Sequence, residues 1–211
     1  MTTETSEVRT RGYRKKERTR RQLISAGLRV LAEKGQGLTV SDIAAEADVS
    51  TGTFYNYFAD RAELLEALAE HSALALADAA AGEGIEDPAR RFATATLRVL
   101  RRAREDETWA RVLLGLVSRP GSGVDLGRHL RKDLADGYAR GRFDVGPEDE
   151  VLDQVAGLIV MTIRRLAEGT AAPDAPQRAV VRGLCALGVE EAEARALAAG
   201  AAADRRPDRS A

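Results

Sequence analysis

Residues 38–65 read LTVSDIAAEADVSTGTFYNYFADRAELL, two short helical patterns split by a tight turn. Thr39 precedes an apolar-periodic run and Asp42 follows three residues later, a variant of the capping box. Leu38, Ile43, Ala44 and Val49 can bury together, and Ala44 and Ala47 are small enough for a close helix crossing. Asp48 suits the turn, because a short polar side chain satisfies local backbone groups there. Ser50 caps a second helix, expected over 51–57, that is crowded with Ser, Thr, Tyr and Asn rather than core-filling residues. Gly52 is a poor helix former whose place near the helix start leaves room for close approach to a ligand backbone. Asp60 and Glu63 make a further capping pair before Leu64, Leu65 and Leu68 begin the next helix. A hydroxyl-rich helix propped by an apolar partner is what a helix-turn-helix protein lays in the DNA major groove.

Charge distribution agrees with that reading better than net charge does. The chain of 211 residues carries a formal net charge of −1. Through Ala62 there are 11 Lys or Arg against 8 Asp or Glu, and beyond it 21 against 25. Basic residues are densest at Arg9, Arg11, Arg14, Lys15, Lys16, Arg18, Arg20 and Arg21, with Glu17 among them. Alone, such a run is as readily a solvated tail. Beside a recognition helix it is expected to touch phosphates or the minor groove.

With 44% hydrophobic residues the chain can bury a sizeable core, and few β-branched runs with 4% aromatics favour an all-α protein. A single cysteine, Cys185, excludes a disulfide framework within one chain and fits a reducing compartment. No apolar run approaches the roughly 20 residues of a membrane span, and the N-terminus has no signal-peptide core. A cytoplasmic protein without membrane attachment is therefore expected.

Capping and periodicity predict the organisation. Residues 1–13 read as a disordered basic arm and helix one as running from about Arg14 to Lys34, with Leu23, Ala26, Gly27, Val30 and Leu31 as its buried stripe. The reader domain spans 14–75, its helix-turn-helix 39–58. A regulatory and dimerisation body follows over 76–202 and a polar tail over 203–211. Asp87 with Pro88 is a strong helix start. Further helices are expected over 108–117, 124–140, from Pro147 to about Glu168, and over 175–187, with a short one after. The helix from Pro147 is apolar on more than one side. It serves either as the centre of one bundle or as a helix shared between two subunits, with Ala156 and Gly157 permitting close approach.

The stretch TVSDIAAEADVSTGTFYNYFADRAELL, preceded by RTRRQLISAGLRVLAEKG, closely resembles the TetR family of one-component transcriptional regulators. The match covers about Arg18 to Leu68, and beyond about Ala75 it is architectural only. The resemblance implies a three-helix DNA-binding domain plus a helical body that dimerises and binds a small effector. Carried onto matching positions, it gives Thr39 a phosphate-facing helix N-terminus and makes Ser50, Thr51, Gly52 and Thr53 the base-edge candidates. Tyr55, Tyr57 and Arg61 become phosphate contacts, and Asn56 reaches either a base or a phosphate. Phe54 and Phe58 are expected as core anchors, with Tyr57 partly so.

The body residues are less informative. Phe92, Trp109, Leu113, Tyr138, Phe143 and Met161, with Arg164 for an anion, are pocket candidates, though each is as readily core or interface. Val151, Val155, Leu158, Val180, Leu184 and Leu187 are the dimer candidates. No cofactor or metal is expected. His71 and His129 lie on separate helices and Cys185 reads as core filler, so no catalytic constellation stands out. The expected partners are double-stranded operator DNA, a small effector and a second copy of the chain. A helical protein-interaction module without operator preference is the alternative.

Overall fold

Leu23, Ala26, Val30 and Leu31 recur at helical spacing and all are buried, the stripe that seats the first helix on the rest of the protein. The computed structural model describes residues 4–80, 84–117 and 126–203, with side-chain environments from Arg14 and, in the last stretch, from Leu130. Ten helices are present among them and no strand. They are α1 Glu4–Lys34, α2 Val40–Glu46, α3 Thr51–Tyr55, α4 Arg61–Ala80, α5 Pro88–Glu105, α6 Glu107–Val117, α7 Leu126–Ala139, α8 Asp149–Ala167, α9 Ala175–Ala186 and α10 Glu191–Ala203. A single 3-10 turn, Gly35–Gly37, ends α1.

Two boundaries differ from expectation. Helix α1 starts at Glu4 rather than Arg14, so most of the expected disordered arm is helical. No proline interrupts it, and extending an existing helix gains one hydrogen bond for each residue ordered. Helix α3 ends at Tyr55, two residues early, because Asn56 and Tyr57 donate their amides to the Thr53 and Phe54 carbonyls in a closing turn. Ala203, the first residue of the expected tail, still belongs to α10, while residues 204–211 of that tail and 124–125 of the seventh helix lie outside the described residues.

Helix α4 belongs to both halves of the protein. Its N-terminal Leu64 and Leu68 pack so closely on Gly27 of α1 that a Cβ there would sit 3.2 Å from both side chains. Leu76 is buried further along, and one continuous apolar core runs from Leu23 through α5 and α8 to Ala201. Burial of such side chains stabilises by about 1.5–3 kcal/mol each against exposure. Helix α5 sits at the middle of the body, with Phe92, Ala93, Leu97 and Leu100 all buried.

Ion pairs fasten the layers around α5. Asp87 caps it by accepting from the Ala89 and Arg90 amides. Arg91 donates to Asp133 at 2.7 Å and to Asp136 at 2.8 Å, both on α7. Arg142 donates to Asp87 at 2.9 Å and to Glu193 of α10 at 2.5 Å. Partial burial by itself would raise the Asp87 carboxyl. The Arg142 guanidinium and the two amides outweigh that and hold it below the ordinary aspartate value. The Asp136 carboxyl is likewise lowered, by Arg91 and then by Arg140.

Candidate nucleic-acid interface

The reader begins with its caps. The Thr39 hydroxyl accepts from the Asp42 amide while the Asp42 carboxylate accepts from the Thr39 amide at 3.0 Å, a complete capping box on α2. Lys34 pairs with the same carboxylate at 2.6 Å and, with Thr39, holds it below the usual aspartate range. Arg29 pairs with Glu46 at 2.5 Å. Both ends of α2 are thus tied to α1.

The turn between α2 and α3 rests on Asp48, which adopts φ 53°, the left-handed conformation that glycine usually supplies. Short polar side chains tolerate it better than others. Ser50 then caps α3, its hydroxyl accepting from the Thr53 amide at 3.0 Å and lying 2.9 Å from the Thr53 hydroxyl. Phe54 and Phe58 are almost fully buried, their ring centroids 5.6 Å apart. They clamp the recognition helix to the core.

Outward from that clamp, Ser50, Thr51, Gly52, Tyr55 and Asn56 are exposed, and Thr53 and Tyr57 are half-buried. Tyr55 is 57% exposed, unusual for so large an apolar ring in a packed domain. A Cβ on Gly52 would meet only the Ser50 hydroxyl, at 3.7 Å. No neighbour in the fold requires glycine there. The space in front of it is free for another molecule's backbone. The structure therefore brings Thr39, Ser50, Thr51, Gly52, Thr53, Tyr55, Asn56 and Tyr57 together on the helix-turn-helix unit.

Arg61 has a second occupation that its sequence position does not reveal. One guanidinium Nη donates to the Gln36 carbonyl at 2.6 Å, and its buried Nε has no protein acceptor. Gln36 in turn donates through its side-chain amide to the Gly115 carbonyl of α6 at 2.9 Å. The last four carbonyls of a helix lack intrahelical partners, so Gln36 caps α6 from the reader domain. Nothing in the local pattern around Gln36, set between two glycines, signals that role.

The expected body residues separate into two groups. Phe92, Leu113 and Phe143 are fully buried and Trp109 is nearly so. The Trp109 indole Nε1 has no acceptor, and the Arg102 guanidinium lies 5.0 Å from its ring. Tyr138 and Met161, at 53% and 49% exposure, and exposed Arg164 stand on the surface. Those three do not share an enclosed space with the buried set.

The expected dimer residues also divide. Val155, Val180, Leu184 and Leu187 are at 0–1% exposure inside the subunit, which takes them off a partner-facing surface. They belong to the subunit's own core, and α9 meets α5 so closely that a Cβ on Gly183 would sit 2.9 Å from the Phe92 ring. Val151 and Leu158 remain half-buried, beside exposed Gly157 and Met161 on α8 and half-buried Val181 on α9. Cys185 is exposed rather than core filler, because it stands on the side of α9 away from Val180 and Leu184. His71 is exposed, and the side chain of His129 lies outside the described residues. Among the described residues, no helix is long and apolar enough to cross a membrane.

Comparisons with known proteins agree with this layout. A model for bacterial regulatory proteins of the tetR family matches residues 23–68. A model for the tetracyclin repressor-like C-terminal domain matches residues 87–200. The HTH-type transcriptional regulator YxbF of Bacillus subtilis is 40% identical over 63 residues, 29% of this chain and 17% of that protein. The HTH-type transcriptional repressor LfrR of Mycolicibacterium smegmatis is 43% identical over 56 residues, 26% of this chain and 29% of its own. The matched segments thus span less than a third of either curated relative. Among solved structures, RolR in complex with resorcinol is 30% identical with a TM-score of 0.66, covering 92% of this chain and 98% of its own. With one model matched across the helix-turn-helix unit and its supporting helices, and the other across the helical body, the chain belongs to the tetR family of bacterial regulatory proteins.

Proposed function

We propose that the protein is a ligand-responsive transcriptional repressor that binds a palindromic operator as a homodimer and is released by a small-molecule effector. The observation that carries the DNA-binding part is the α3 surface. A short, well-capped helix is anchored by two buried phenylalanines and, with the turn after it, presents hydroxyls, an amide, a glycine and the exposed Tyr55 ring. In this reading Thr51, Thr53 and the Ser50 hydroxyl read base edges, partly through thymine methyls and bridging water. Tyr55, Tyr57, the Thr39 helix terminus and the free side of Arg61 hold phosphates, and Asn56 reaches either.

Dimerisation uses the face that α8 and α9 leave open, with Val151, Leu158, Met161 and Val181 as its apolar part. Two readers fixed this way meet half-sites about 34–36 Å apart. An effector acts by binding one reader spacing better than the other. The buried Trp109 Nε1 supports such a ligand, since an unmet buried donor is costly and a bound acceptor would relieve it. RolR carries resorcinol, so small phenols belong first in a ligand panel, with apolar and acyl compounds after them.

Selection of binding sites from random duplexes tests the reading. It predicts enrichment of an inverted repeat, and binding that a panel member reverses while changing the fluorescence of the single tryptophan, Trp109. A helical interaction module would enrich no sequence.

A further inference from the structure

The basic segment of α1 places six exposed cations within residues 14–21. Arg29, Lys34, Arg91, Arg131, Arg140, Arg142, Arg178 and Arg195 each have a carboxylate partner. Arg14, Lys15, Lys16, Arg18, Arg20 and Arg21 are exposed, with no ion pair to any described residue and only Glu17 between them. Like charges so dense on one helix repel one another, which destabilises by a few tenths of a kcal/mol for each close pair. An anionic partner would relieve that repulsion.

The helix sorts these charges onto two sides. At about 100° per residue, Lys16 and Arg20 continue the side that carries Leu23, Gly27 and Val30, while Arg14, Arg18 and Arg21 lie opposite. Arg20 is fixed by the reader itself, its guanidinium 5.4 Å from the centre of the Phe58 ring. Phe58 directly follows Tyr55, Asn56 and Tyr57. The side of α1 that packs on the reader therefore turns from apolar to cationic where α3 ends. Lys16 and Arg20 are about 6 Å apart along the axis, far enough for each to meet a phosphate of its own.

We infer that Lys16 and Arg20 form a second phosphate-binding surface, continuous with the recognition helix, that grips the backbone flanking each half-site. This rests on the DNA-binding reading above. The partner is duplex DNA, because the cations adjoin the helix proposed to enter the groove and offer no apolar side for a membrane. Contacts of this kind add affinity without sequence choice.

The test compares the full-length chain with two paired variants, Lys16→Gln with Arg20→Gln and Arg14→Gln with Arg18→Gln. Binding to the selected operator is followed over a range of salt. Each phosphate neutralised contributes about 0.9 to the slope of log K against log salt. The Lys16 and Arg20 variant should lose about two such increments per subunit, and the opposite pair less than half as much. Arg20→Lys should keep the slope, and thermal melting checks that each variant is folded. Equal losses from both pairs would mean a diffuse field and overturn the inference, as would an unchanged slope in the Lys16 and Arg20 variant. If the wild-type chain bound no duplex at all, the DNA-binding reading itself would fall.

Discussion

The Gln36 side-chain amide donates to the Gly115 carbonyl at 2.9 Å, so the turn that ends α1 caps the last turn of α6. The Gln36 carbonyl meanwhile accepts from Arg61 at 2.6 Å. One residue thus touches both the body and the first turn of the helix that follows the recognition helix. Substituting Gln36 with Leu removes the amide and leaves the Gly115 carbonyl to solvent. The expected cost is about 0.5–1.5 kcal/mol, read as a drop of about 2–4 °C in Tm for each kcal/mol. An unchanged Tm would show that the contact contributes nothing in solution.

Gly183 is the point where α9 meets α5. A Cβ there lies 2.9 Å from the Phe92 ring, which is itself buried and cannot swing away. Gly183→Ala should destabilise by about 1–3 kcal/mol through overpacking. Pairing it with Phe92→Leu should recover part of the loss in a denaturant titration. Equal stability of Gly183→Ala and wild type would contradict the packing described.

Acid should loosen the body in a defined direction. Asp87 and Asp136 are held below the ordinary aspartate value by arginines in the fold. A lowered folded pKa contributes stability that is present above the unfolded value of about 3.9. It disappears as pH falls through the folded value. Tm should therefore stay flat through the neutral range with respect to these groups and fall below about pH 4. In Asp87→Asn the neutral-pH Tm should be lower and the acid-side decline shallower. A decline as steep as that of wild type would contradict the Asp87 assignment.

Met161 is large, apolar and 49% exposed beside the open Gly157 position on α8. Met161→Asp should shift the protein from dimer to monomer in light scattering, with little change in the helical circular dichroism signal. A variant that stays dimeric would move the interface elsewhere.

The reader was legible because its signals are local. The Thr39–Asp42 capping box, the Ser50 cap and the buried Phe54–Phe58 pair each follow from residues within four positions of one another. The helical body was legible for the same reason at Asp87–Pro88. The sorting of α8 and α9 was not. Both helices are apolar on more than one side, and periodicity does not say which side meets α5. Val155 and Val180 went inward, and Met161 outward, as α8 and α9 each pack on α5, where Gly183 lets Phe92 approach α9. That contact joins residues 91 positions apart in the chain. Gln36 was hidden for a similar reason, since its partner at Gly115 is 79 positions away.

The central claim is that α3 reads sequence while the tyrosines and Arg61 hold the backbone. It is tested most directly by titrating wild type, Thr51→Ala with Thr53→Ala, and Tyr55→Phe against the selected operator and a scrambled duplex at matched salt. Wild type should prefer the operator by about 10³ or more. The threonine variant should lose most of that preference while keeping its binding to scrambled DNA. Tyr55→Phe should weaken both duplexes by a similar factor and leave their ratio intact. If the threonine variant kept the full preference, or if Tyr55→Phe changed the ratio, the division of labour on α3 would be wrong.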